Sequence, residues 1–311
     1  DYQNAAGMIA DCIYADSTEN NWLNTKPPLA AWAVWEVYQK DNDDTFLEEL
    51  YPRLKKYHYW WYQDRDHDKN GLCEYGATAD KLVGAKWESG MDNAVRFDSA
   101  KMIQTREGAF SVDQESVDLN SYLFAEKKYL QKIALEIEME NDAALFTGEA
   151  ENLQKLIRNK MFDELSGYFY DISLDNKQFI KIQGPEGWIP LWGKVASKDQ
   201  ADAVKTVMTD KTKFATFIPF PTVAADDPGF SKGYWRGPVW LDQAAFAVQA
   251  LINYGYHHEA DMFTRQLFER PEGLLNDSAP IRENYWPMDG TGMKVNHFSW
   301  SAAHLLMLYC E

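Results

Sequence analysis

Apolar residues fall into two kinds of run along this chain. Residues 28–38, PLAAWAVWEVY, are apolar almost all the way round, which predicts a helix covered on most sides. Residues 44–64 instead place Leu47, Leu50, Leu54, Tyr57 and Trp61 on one face and charged residues on the other. That periodicity predicts an amphipathic helix, which Pro52 must start or bend. The pair returns at 115–137 with 142–161, and again at 239–253 with 256–268. A last apolar run, SWSAAHLLMLY at 299–309, has no partner after it, and weaker helical patterns lie near 186–193 and 199–209. A buried helix followed by a half-exposed one, several times over, predicts two layers of helices built from hairpins in a ring. The plain alternative is a helical solenoid. No linker or domain boundary is visible, so residues 1–311 read as a single all-α domain.

Composition narrows the partners. The net charge is −17, from 31 basic and 48 acidic residues. No basic cluster exists to displace counterions from nucleic acid, an anionic membrane would repel the chain, and no apolar run spans a bilayer. Aromatic residues make up 14% of the chain, with 12 Trp. Flat rings beside carboxylates suit sugars, although a bulky core gives the same count. Cys12, Cys73 and Cys310 form no metal-ligand spacing, and their scarcity favours a reducing, cytoplasmic setting.

Chemistry concentrates between the helices. Residues 87–98, WESGMDNAVRFD, set Glu88, Asp92 and Asp98 among Trp87 and Phe97. A carboxyl against aromatic walls is what a general acid requires, because desolvation keeps its proton on; a solvated turn is the plain alternative. QGPEGWIPLW (183–192), YWRGPVWLDQ (234–243) and RENYWPMD (282–289) repeat the mixture of Trp, Gly, Pro and charge. Trp87, Glu88, Phe97, Trp188, Trp235, Arg236, Trp240 and Trp300 are the candidate sugar contacts, with core packing the alternative for each. Glu88, four residues before Asp92, would either raise the Asp92 pKa or orient the loop. Residues 64–75 hold a separate pattern: Asp66, Asp68, Asn70, Gly71 and Glu74 follow D-x-D-x-N-G-x-x-E. This is the first half of an EF-hand-type calcium loop, with Leu72 offering its carbonyl. Position 12 is Ala77, so Glu74 would have to ligate directly.

Together NTKPPLAAWAVWEVY, EYGAT, WESGMDNAVRF, GPEGW, YWRGPVWLDQ, ENYWP and FSWSAAHLLMLY resemble glycoside hydrolase family 63, nearest its bacterial α-glucosidase branch. The resemblance implies an (α/α)6 toroid, cleavage of α-glucosidic bonds of small glucosides or oligosaccharides with inversion, Asp92 as general acid and Glu283 as general base. It implies no catalytic cofactor, and a structural Ca2+ in the 66–74 loop. Inversion needs the two carboxyls roughly 6.5–9.5 Å apart, leaving room for water. Trehalases share the ESG-x-D and GP-x-GW loops, so a trehalase-like enzyme is the near alternative, and a non-catalytic sugar-binding toroid the far one. A sugar epimerase would use histidines, but His257, His258 and His304 sit on helical patterns that read as packing. The resemblance also implies that the ring's first helices lie ahead of the segment matching Asp1. An upstream segment or second chain is then expected to complete it, with helices 28–38 and 299–309 facing water without it.

Overall fold

The computed structural model describes residues 2–275 and 278–310. Among them are ten α-helices and several very short strand pairs. The chain divides into two compact units.

The first unit comprises Asp1–Asp92, Ser99–Met161 and Asp171–Phe179. Its helices are α1 (Ala30–Asp41), α2 (Asp44–Asp64), α3 (Leu82–Glu88), α4 (Val117–Glu136) and α5 (Glu140–Lys160). Asn42, in the left-handed region, ends α1 by returning its N–H to the Tyr38 carbonyl, and the Asp43 side chain caps α2 at Thr45 N–H. Pro52 does not start α2, which begins at Asp44 and continues past it to Asp64, leaving the bend as the alternative of the two that remains. Helix α4 is buried without a break from Val117 to Lys127, whereas α5 buries one stripe, Ala143, Phe146, Ala150, Leu153 and Ile157. That is the inner and outer pairing the periodicity predicts. Tyr38, Leu47, Tyr51, Leu54, Leu130, Ile133 and Phe146 join in one core; burying each large side chain stabilises by about 1.5–3 kcal/mol.

A polar chain crosses the same helices. Buried Lys127 donates to His58 Nε2 at 2.8 Å and to Glu149 at 2.6 Å. The imidazole hydrogen is therefore on Nδ1, which donates to Glu126 at 2.7 Å. Burial holds His58 well below its ordinary pKa, and Lys127 adds to the effect.

Two small sheets face these helices. Met102–Arg106 and Ala109–Val112 form a hairpin that Gly76–Ala77 extends, and Gln114–Glu115 pairs with Asp171–Ser173. Gly76 lies so close to the next strand that a Cβ there would stand 2.1 Å from the Phe110 carbonyl oxygen.

The second unit comprises Asn93–Asp98, Phe162–Tyr170 and Ile180–Glu311. It holds α6 (Ile189–Trp192), α7 (Lys198–Met208), α8 (Leu241–Asn253), α9 (His257–Glu269) and α10 (Ser299–Cys310). A capping box, Ser197 with Gln200, starts α7. Helix α8 is buried continuously from Leu241 to Val248, while α9 buries only Ala260, Phe263 and Leu267. Again an inner helix is followed by an outer one.

Helices α1 and α10 fall short of the all-round burial their composition predicts, and face solvent as expected of these two helices within this chain alone. Only Ala31 and Tyr38 of α1, and Ser301, Leu305 and Leu308 of α10, are buried. Val37, Trp300, Leu306, Met307 and Tyr309 are exposed. Apolar content records what a helix can bury, not what is there to cover it.

Candidate active site

In the first unit, helix α3 delivers the loop that carries Asp92. The Ser89 hydroxyl donates to the Lys86 carbonyl and accepts from Met91 N–H. Gly90 follows with φ of +75°, the left-handed step that commonly ends a helix. The chain then turns Asp92 into a cavity of about 680 Å³, within the range that holds small ligands. Its wall includes Asp11, Tyr14, Asn20, Asn21, Lys26 and Trp87. Trp87 is 42% exposed. Lys26 closes the rim, pairing with Asp11 at 2.9 Å and donating to the Trp87 carbonyl at 2.8 Å.

Glu88 is no part of that wall. It is fully buried, and both oxygens are spoken for. Arg65 Nε donates to Oε2 at 2.7 Å and Nη2 to Oε1 at 2.8 Å. Gly76 N–H adds a bond of 2.6 Å to Oε2, and Thr25 N–H one of 3.2 Å to Oε1. Burial pushes the carboxyl up from its ordinary pKa while Arg65 pulls it back. Arg65 in turn lies over the Trp60 ring at 4.7 Å. Glu88 therefore ties α3 to the segments before α1 and after α2, the loop-orienting one of its two expected roles. Arg65 was missed in the sequence, since nothing near it announces a buried cation.

In the second unit, Glu283 lies on the strand Arg282–Tyr285, which pairs antiparallel with Gly292–Asn296 across a bulge. It is only 6% exposed. Tyr234 donates its hydroxyl hydrogen to Oε1 at 2.6 Å, and Val295 N–H donates to Oε2 at 3.3 Å. Ser301, in the first turn of α10, donates to the Glu283 backbone carbonyl at 3.1 Å. A carboxylate accepting at both oxygens is fixed in one plane. Tyr234 is the second residue that sequence reasoning passed over, although it opens a quoted motif.

Around Glu283's hairpin the aromatic candidates sort themselves by exposure. Trp235 and Trp240 stack at 3.9 Å and are both buried. Trp300 packs edge-on to Trp240 at 5.9 Å with 42% of its surface exposed. Trp188 is core, wedged against Phe214 and Phe220. Phe97 is core too, under the Arg96 guanidinium. Arg236 spends its fork on Asp98, at 2.7 and 2.8 Å. Of the eight expected sugar contacts, Trp87 and Trp300 are the exposed ones; packing claims Phe97, Trp188, Trp235 and Trp240, and ion pairs claim Glu88 and Arg236.

The 66–74 loop turns on itself. Asp66 accepts from Asn70 and Gly71 N–H groups, and Asn70 Oδ1 from Leu72 N–H. The Asn70 amide donates to Glu115 at 2.6 Å, and Lys177 bridges Asp68 and Glu115 at 3.0 Å each. Glu74 is fully buried; Oε2 accepts from His67 N–H, while Oε1 has no hydrogen-bond partner among the described residues. Burial pushes the Glu74 carboxyl well above its ordinary pKa. Among the described residues no three His, Cys, Asp or Glu side chains are grouped as a preassembled metal cage. No helix among them is long and apolar enough to cross a membrane.

Comparison with known proteins gives these sites a context. Residues 1–301 match the family described as mannosylglycerate hydrolase MGH1-like glycoside hydrolase domain. The mannosylglycerate hydrolase of Rubrobacter radiotolerans is 26% identical, over 92% of this chain and 74% of its own. That of Thermus thermophilus is 24% identical, over 90% and 75%. Among solved structures, a family 63 mannosylglycerate hydrolase from Thermus thermophilus in complex with glucose superposes with a TM-score of 0.78 at 21% identity, covering 99% of this chain and 85% of that one. Neutral trehalase from Saccharomyces cerevisiae shares the fold at a TM-score of 0.74 and 17% identity, over 93% and 62%. The helix-rich fold expected from the motifs is thus shared with both enzyme groups. An α-glucosidase branch is not what these relatives carry in their names, which refines the expectation from sequence. What stands is the family: the chain belongs to glycoside hydrolase family 63, as a mannosylglycerate hydrolase MGH1-like glycoside hydrolase domain.

Proposed function

We propose that this protein hydrolyses a short glycoside whose aglycone is a small acid of the glycerate type, with inversion at the anomeric carbon. The observation that carries the reading is the family match over residues 1–301, with relatives of that name aligned across nine-tenths of the chain. In this reading Asp92, half-buried on the wall of a cavity that exposed Trp87 also lines, gives its proton to the leaving oxygen. Glu283 takes one from the water whose oxygen bonds the anomeric carbon as the glycosidic bond breaks. Among the described residues Lys26 is the only cation on the cavity wall, and an acidic aglycone would take it by replacing its present partner Asp11.

A hydrolysis panel decides the substrate. Mannosylglycerate and glucosylglycerate are compared with nigerose, kojibiose, trehalose and maltose. The glycerate glycosides should show kcat/KM at least about tenfold higher, which corresponds to about 1.4 kcal/mol of transition-state discrimination. Preference for a glucose disaccharide would return the assignment to an α-glucosidase or trehalase-like enzyme. Binding without turnover across the panel would make it a sugar-binding protein.

We further propose that the 66–74 loop takes a structural Ca2+ through Asp66, Asp68, Asn70, the Leu72 carbonyl and Glu74. An all-oxygen donor set with one buried carboxylate oxygen lacking a partner suits this ion. Lys177, which now neutralises Asp68, would give way to it. Ion present at about a hundred times its Kd would stabilise by roughly 2.7 kcal/mol, so excess chelator should lower the melting temperature. An unchanged melting curve, with no metal by elemental analysis, would remove calcium from the account.

A further inference from the structure

Tyr234 adopts φ of +71°. A bulky residue in the left-handed region costs about 1–3 kcal/mol and persists only where its surroundings over-determine it. Here both flanking peptide units are held. Asn93 donates its amide N–H to the Gly233 carbonyl at 2.7 Å, and its Oδ1 accepts from Trp235 N–H at 2.9 Å. One side chain thus brackets Tyr234 from either side. The Trp240 indole N–H donates to the Tyr234 carbonyl at 3.2 Å, and the two rings meet edge to face at 4.9 Å. Lys294, itself at positive φ, sets its ammonium 5.7 Å from the Tyr234 ring centroid. The outcome of these constraints is the 2.6 Å bond to Glu283 Oε1.

We infer that Tyr234 is the positioning residue of Glu283, and that Asn93 is the clamp that keeps it in its strained conformation. The two Glu283 oxygens are then unlike. Oε1 is engaged by a short bond from a rigidly held hydroxyl, whereas among the described residues Oε2 takes only the longer bond from Val295 N–H. Oε2 is the oxygen with the capacity to receive a proton from water. Fixing the carboxylate by its other oxygen aims it, and a misplacement near ~1 Å at such a group can cost about a hundredfold in rate. The inference rests on Glu283 being the general base, and its test separates the two.

Tyr234→Phe keeps the ring and removes the hydroxyl. It should lower kcat by about 10- to 100-fold with KM within about twofold. Asn93→Ala keeps the hydroxyl and removes the clamp, and should lower kcat in the same way. The double variant should lose no more than Tyr234→Phe alone, because both act through one contact. Glu283→Gln is measured beside them. If Glu283→Gln retains turnover, the base assignment itself is wrong. An inactive Glu283→Gln together with a Tyr234→Phe of unchanged kcat overturns the positioning role alone. So does a Tyr234→Phe that raises KM only. Additive losses in the double variant overturn the clamp. Should Tyr234→Phe fail to fold, Asn93→Ala carries the same split between kcat and KM.

Discussion

Asp92→Asn and Glu283→Gln are each expected to lower kcat by about 10²- to 10⁴-fold, the usual contribution of general acid–base catalysis, with melting temperatures close to that of the parent. Both replacements are nearly isosteric; in Glu283→Gln the Tyr234 hydroxyl can still donate to the new amide oxygen, at the loss of the longer bond from Val295 N–H, which would face the new NH2 group. The two losses should differ in kind. A leaving group that needs no proton, such as fluoride, should restore much of the rate to Asp92→Asn, because the acid's task has been removed. It should restore little to Glu283→Gln, in which water still lacks a base. Proton NMR of the first product from an α-glycoside should show the β-anomer. Retained configuration contradicts inversion, and activity within about tenfold of the parent in either variant contradicts the role assigned to that residue.

The second large effect is on stability. Glu88→Gln leaves the Arg65 guanidinium buried with its charge uncompensated. Removing one partner of a fully buried pair typically costs about 3–5 kcal/mol. At roughly 2–4 °C per kcal/mol for a large domain, the melting temperature should fall by about 6–20 °C. Replacing both, Arg65→Met with Glu88→Leu, should cost less than Glu88→Gln alone, since no orphaned charge remains. A Glu88→Gln protein melting within about 2 °C of the parent would show that solvent reaches Arg65 after all. The same measurement separates the loop-orienting role of Glu88 from a role in sugar binding, which would leave the melting temperature alone.

The helices that pair a fully buried partner with a striped one, α4 with α5 and α8 with α9, were legible because burial on one side leaves a period of 3.6 residues in the sequence. Helix α3 was not, because seven residues carry too little of that period. The short strand pairs were hidden for the same reason. At the site, motif resemblance pointed to Asp92 and Glu283; the structure sets Asp92 on the wall of a cavity and buries Glu283 against the Tyr234 hydroxyl. The aromatic residues were harder. Trp188 and Trp300 look alike in sequence, each in a Trp-containing loop or helix start, yet one is sealed in the core and the other is open. Exposure depends on what the rest of the chain brings against a ring, and no local pattern records it. Tyr234 was invisible for another reason: its importance lies in a backbone angle, imposed by Asn93 from 141 residues away in the sequence.

The crowding at Gly76 bears on how such proteins are identified at all. A side chain there would run into the Phe110 carbonyl and into Arg65, while the Gly76 amide is needed by Glu88. The glycine of EYGAT is therefore enforced by scaffolding, and so, through Glu88, is the glutamate of WESG. A descendant that had abandoned catalysis would still be obliged to keep these letters. Signature matching at such positions tracks ancestry of the architecture, so a pseudoenzyme in this lineage would pass for an active member until the carboxylates themselves were inspected.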